Sequence, residues 1–114
     1  MSDWPPREAR LRAALWRGTK HLLRNEYLAA SRAFRQACDV SGEDEREVVR
    51  GLFHLAVAGY KHQRGSRGGA ERQLAHARRR LAAFSGSLDG VDRAALVEHV
   101  QRQGTTMQRM NVRP

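Results

Sequence analysis

Apolar residues along this chain recur at spacings of three and four, the signature of helices that each bury one stripe. Leu11, Leu15, Gly18 and Leu22 share one side of a first helix that runs to about Arg24. Trp16 and Leu23 are expected to broaden that stripe, and Arg7, Arg10, Arg12 and Arg17 lie mostly on the other side. Asp3 ahead of Pro5 and Pro6 marks its start, with Trp4 placed to staple it. Asn25-Glu26 predicts a tight turn, and a second helix from about Tyr27 to Cys38 turns Tyr27, Ala30, Phe34 and Ala37 inward.

Ser41-Gly42-Glu43-Asp44 resembles a capping box, and Glu43, Asp44, Glu45 and Glu47 crowd the first turn of the helix that follows. That third helix, from about Asp44 to Gln63, is the most apolar and is expected to be central. Arg64-Gly65-Ser66-Arg67-Gly68-Gly69 breaks it, supplying a left-handed glycine and a serine cap. A fourth helix over 69–84 carries Ala70, Leu74, Ala77, Leu81 and Phe84. A fifth, capped by Asp89 or Asp92, is expected to carry Ala95, Leu96, Val97 and Val100 and to stop at Gly104, leaving 105–114 as a frayed or disordered tail.

Tyr27, Ala30, Phe34 and Ala37 recur 40 positions on as Arg67, Ala70, Leu74 and Ala77. The chain is therefore predicted to be all-α: a compact bundle of four to five antiparallel helices built from two helical hairpins, in a single domain over residues 1–104. A lone tetratricopeptide-like hairpin fits the Gly18-to-Ala37 pattern, but a second copy at that repeat's own spacing does not.

With 114 residues, 40% hydrophobic and 6% aromatic, the chain points to a Leu/Ala/Val core and away from a deep aromatic-lined cavity. The single cysteine, Cys38, has no internal disulfide partner and falls on the apolar side of its helix, where a buried structural thiol is expected. No apolar run suits a signal peptide or a membrane span, so a cytoplasmic protein with no membrane partner is expected. The 21 Lys and Arg against 12 Asp and Glu give a net charge of +9, the balance of proteins that meet polyanions. Only Lys20 and Lys61 are lysines, and such an arginine bias also follows from GC-rich codon usage.

Gly18 to Phe84 resembles the DUF309 family of small all-helical bacterial and archaeal proteins, whose function is uncharacterised. The residues that carry the likeness are Asn25-Glu26-Tyr27-Leu28-Ala29-Ala30 leading to Phe34, Arg50 to Ala58 with Tyr60, then Arg64-Gly65 and Gly69-Ala70. The family's polar signature is missing. Leu22 and Leu23 stand for its Phe-Asn pair, Ser31 and Arg32 for its His-Glu, and Cys38 for its tryptophan. Neither Ser31 nor Arg32 can take over metal or acid–base chemistry, so the resemblance implies a fold and no catalytic residue.

Among His21, His54, His62, His76 and His99 no pair has the spacing that lets one helix hold a metal. No metal or cofactor is expected, and His54 is expected as a hydrogen-bonded boundary residue. Ser31, Arg32, His54 and Tyr60 are the candidate binding residues, at or near the family's motif positions, with Ser31 expected to bond its own backbone. A polyanion site would use Arg7, Arg10, Arg17, Arg64, Arg67, Arg72, Arg78, Arg79 and Arg80, joined into one face if the first and fourth helices lie side by side. The leading reading is a non-enzymatic binding or scaffold module. Polyanion or nucleic-acid binding is the alternative, and an enzyme or metal protein with an inter-helical polar site comes last. The wide apolar arc of the third helix is covered either by a second copy, making a homodimer, or by its own neighbours.

Overall fold

The computed structural model describes residues 5–88 and 90–111, with side chains to residue 107. Five helices follow one another: α1 (Arg7–Leu23), α2 (Tyr27–Val40), α3 (Glu43–Gln63), α4 (Arg67–Ala83) and α5 (Arg93–Asn111). Among the described residues there is no strand, and the all-α bundle read from the periodicity is what the chain forms. α1 packs on α2, α2 on α3 and α3 on α4, while α5 lies against α3 and touches α1. No helix is long and apolar enough to cross a membrane among the described residues.

The two hairpins share one corner, bond for bond. After α1, Asn25 takes a left-handed φ of 63°, Asn25 N–H donates to Leu22 O at 3.0 Å and Glu26 N–H to His21 O at 2.9 Å. After α3, Gly65 takes φ 79°, Gly65 N–H donates to His62 O at 3.1 Å and Ser66 N–H to Lys61 O at 2.9 Å. Both are Schellman closures whose last residue doubles as the N-cap of the next helix. Nothing lies within 4 Å of where a Cβ on Gly65 would stand, so backbone conformation alone governs substitution there. Gly65→Ala is expected to lower stability by about 1–2 kcal/mol, and Gly65→Asn by clearly less, as read by chemical denaturation. Equal losses would show that the corners are not equivalent.

The core gathers Leu11, Ala14, Leu15 and Leu22 of α1, Tyr27, Ala30, Phe34 and Ala37 of α2, and Val48, Val49, Leu52, Leu55 and Ala56 of α3, closed by Ala77 and Leu81 of α4 and Leu96 and Val100 of α5. Close approach depends on glycine. A Cβ on Gly18 would lie 2.4 Å from the Phe34 ring, one on Gly59 would lie 2.4 Å from the Tyr27 ring, and one on Gly51 would lie 2.9 Å from Leu81.

Several local expectations are corrected. Trp16 and Leu23 do not widen the buried stripe; they are 63% and 49% exposed, because their positions fall opposite the Leu11–Leu22 side, and Lys20 Nζ covers the Trp16 ring at 4.5 Å. Ser41 does not cap α3 but closes α2, donating from Oγ to Cys38 O at 2.9 Å, while Glu45 reaches back to the Gly42 N–H at 3.4 Å. Ser66 stands at the N-cap of α4 without a side-chain bond. Asp92 caps α5 by accepting the Ala95 N–H at 3.1 Å. Gly104 does not end α5. The helix runs on to Asn111, and Gly104 within it serves packing: a Cβ there would meet the His62 ring at 2.5 Å. Asp3, Trp4, Asp89 and residues 112–114 lie outside the described residues.

Candidate functional site

Among the described residues, α3 is flanked on three sides and open on a fourth. Gly59 receives Tyr27 of α2, Gly51 receives Leu81 of α4, and His62 meets Gly104 of α5. The positions left between the α2 and α4 contacts are Arg46, Arg50, Phe53, Val57, Tyr60, Lys61 and Arg64, which share one side of the helix by their spacing. Phe53, Val57 and Tyr60 are only half-buried. The wide apolar arc is thus not fully surrounded by the chain's own helices.

On the α2 rim, Leu28 is 45% exposed and Arg32 and Arg35 are exposed. On the α4 rim stand Gln73, His76, Arg79 and Arg80. His54 donates through Nδ1 to Gln73 Oε1 at 2.7 Å, and its ring lies 5.7 Å from Phe53 and 5.6 Å from His76. Arg79 Nη2 donates to His76 Nδ1 at 2.7 Å, which places any proton of a neutral His76 on Nε2. Desolvation, with Arg79, His54 and Arg80 adding to it, holds His76 below the usual histidine range. Glu47 joins the two helices, paired with Arg50 at 3.1 Å and with Arg80. The Arg64 guanidinium lies 5.9 Å from the Tyr60 ring centre.

The four candidate binding residues do not converge. Ser31 is buried with its Oγ donating to Leu28 O at 2.7 Å, the backbone bond expected of it. Arg32 points to solvent, His54 belongs to the α4 edge and Tyr60 to the open strip. The nine arginines do not form a single face either, because α1 and α4 do not pack together; α2 and α3 stand between them. Arg7, Arg10 and Arg17 belong to α1, where Arg17 donates to Gln36 Oε1 at 3.2 Å and Arg10 is half-buried. Arg78 lines a cleft of about 520 Å³ between α4 and α5 with Leu81, Val97 and Glu98. Arg67 pairs with Glu71 at 3.5 Å, and Arg64, Arg72, Arg79 and Arg80 remain near the open strip. Sequence reasoning missed Arg35, Arg50 and Lys61, whose signal is their spacing on α2 and α3.

Asn25 is a second focus that sequence reasoning missed. Its Oδ1 accepts from Tyr27 Oη at 3.0 Å and His99 Nε2 at 2.7 Å, its Nδ2 donates to Gln103 Oε1 at 3.3 Å, and its carbonyl accepts from Gln63 Nε2 at 2.8 Å. Burial pushes the Tyr27 phenol up to about 12, so it acts there as a donor. His62 and His99, both half-buried, seat α5: the first meets Gly104 and the second bonds Asn25. Burial pulls both below the usual histidine range, opposed by Glu71 for His62; for His99, Arg102 adds to the pull and the Leu22 carbonyl opposes it.

A base whose folded pKa is depressed contributes stability above its unfolded pKa and loses it as pH falls. The melting temperature is therefore expected to drop between about pH 7 and pH 5, and the double variant His62→Gln, His99→Gln to flatten that drop. An unchanged pH slope in the variant would show that other groups set it.

Among the described residues no three His, Cys, Asp or Glu side chains lie close enough to share a metal ion. Burial raises the Cys38 thiol above its ordinary pKa, the opposite of nucleophile activation; it is half-buried rather than fully enclosed. The class defined by this architecture is a pair of stacked helical hairpins with a fifth helix seated on the second. No protein-family model, curated protein or solved structure matches the chain.

Proposed function

We propose that the chain is a non-enzymatic binding or scaffold module whose working surface is the α2–α3–α4 face. The observation that carries the reading is the half-buried Phe53–Val57–Tyr60 strip on the central helix, an apolar line that the described helices cover only in part. Chemistry at the family-motif positions is disfavoured, since Ser31 spends its hydroxyl on its own helix and an arginine at position 32 cannot act as a base. The likeness to DUF309 proteins enters as one of packing: Arg50 to Ala58 is the stretch whose glycine and apolar residues seat α4 and fill the core. The working compartment in this proposal is the cytoplasm, and a second copy of the chain covering the strip would make a homodimer.

A photo-crosslinking amino acid at Val57 tests the reading, with the exposed Ala13 of α1 as the reference site. Discrete adducts to a macromolecule of the source cell are expected from position 57 and not from position 13. Equal labelling, or none at either site, would overturn it. A concentration-dependent mass in sedimentation would identify a second copy as the occupant.

A further inference from the structure

We propose that the open α3 strip and its two basic rims bind single-stranded nucleic acid with little regard to sequence. The inference rests on the reading of this face as the working surface and names what occupies it. Arg32 and Arg35 run along α2, Arg72 and Arg79 along α4, and Lys61 and Arg64 stand on α3 between them. Among the described residues none of these six has a carboxylate partner; Arg79 donates to His76 and Arg64 lies over Tyr60. The acids Asp39, Glu43 and Glu47 also lie on this side by their spacing, and Glu47 is already shared by Arg50 and Arg80.

Rows of cations on both sides of a line of rings match a polymer whose phosphates lie outward and whose bases lie flat. Phe53 and Tyr60 are partly exposed aromatic residues along the floor, and the Arg64 guanidinium lies over the Tyr60 ring at 5.9 Å. From Phe53 to Arg64 the floor is about 17 Å long at the rise of an α-helix. The cations are almost all arginine, whose planar fork matches phosphate oxygens two at a time, a better fit to a phosphodiester chain than to scattered side-chain carboxylates. Duplex recognition through α3 is disfavoured because that helix lies between its two flanking helices and does not stand free to enter a groove. The clefts at α4/α5 and α1/α2 lie off this face.

Fluorescence anisotropy with labelled dT and rU oligomers of about 20 nucleotides, and a duplex of the same length, tests the proposal at about 50 and 200 mM salt. Both single strands are expected to bind at micromolar protein and to bind more tightly than the duplex, with affinity falling at least roughly tenfold over that salt range. The pair Arg32→Glu, Arg35→Glu and the single change Tyr60→Ala are each expected to weaken binding roughly tenfold, the aromatic loss persisting at higher salt. The equally charged pair Arg12→Glu, Arg17→Glu on α1 is expected to change affinity less than about twofold. Circular dichroism confirms that each variant is folded.

No binding, equal loss from the α1 pair, tighter binding to duplex, or displacement by poly-glutamate as effective as by dT would each overturn the proposal. The last would assign the face to an acidic protein partner. A nuclease-resistant adduct at Val57 without oligonucleotide binding would overturn this inference and leave the binding-module reading standing.

Discussion

Phe34→Ala is expected to lower the unfolding free energy by about 3–5 kcal/mol, the range for truncating a fully buried aromatic. Phe34 has 0% exposure and its ring occupies the space above Gly18, so the change removes both apolar burial and the spacer between α1 and α2. Gly18→Ala alone is expected to cost about 1–2 kcal/mol: a gain of about 1 kcal/mol in helix propensity is overridden by a methyl placed 2.4 Å from the ring. Combining them should cost less than the sum by at least about 1 kcal/mol, because the new methyl then enters the vacated space. Urea denaturation of the four proteins measures this cycle. Simple additivity would mean that Gly18 and Phe34 do not set the distance between the two helices.

Arg93→Ala is expected to cost about 2–3 kcal/mol, lowering the melting temperature by roughly 8–13 °C in a domain of this size. Arg93 donates through Nη1 to Leu81 O at 2.8 Å and Phe84 O at 2.9 Å, and through Nη2 to Gly86 O at 2.8 Å, with its guanidinium 5.2 Å from the Phe84 ring centre. It thus closes the carbonyl end of α4 from the first residue of α5, a job commonly left to a glycine. Arg93→Lys keeps the charge but lacks the planar fork, so it should recover less than half of the loss in a thermal melt. Full rescue by lysine would mean that charge at the helix end, and not the three bonds, does the holding.

Legibility of the fold followed the chemistry of the signal. Tyr27, Ala30, Phe34 and Ala37 declared a buried helix face by spacing alone, and all four are buried. The turn at Asn25-Glu26 was legible because asparagine tolerates positive φ, and Gly65 because glycine prefers it. Gly104 was misread because a glycine inside a helix looks the same in sequence whether it ends the helix or admits a neighbour; only His62, 42 positions earlier, distinguishes the two. Arg93 was invisible for the same reason, since its three acceptors are backbone atoms. The candidate surface was half legible. Tyr60 and the arginines of α4 stood out by type, but their neighbours depend on helix order, and the side-by-side placing of α1 and α4 failed because α2 and α3 stand between them.

The corners after α1 and α3 are twins in backbone, yet one carries asparagine and the other glycine. The glycine corner merely reverses direction. The asparagine corner also grips His99 and Gln103, so the last helix is latched to the far hairpin at this corner while its main bed is α3. With one bed and one corner to hold it, α5 is expected to shed its protection against hydrogen exchange before the two hairpins do.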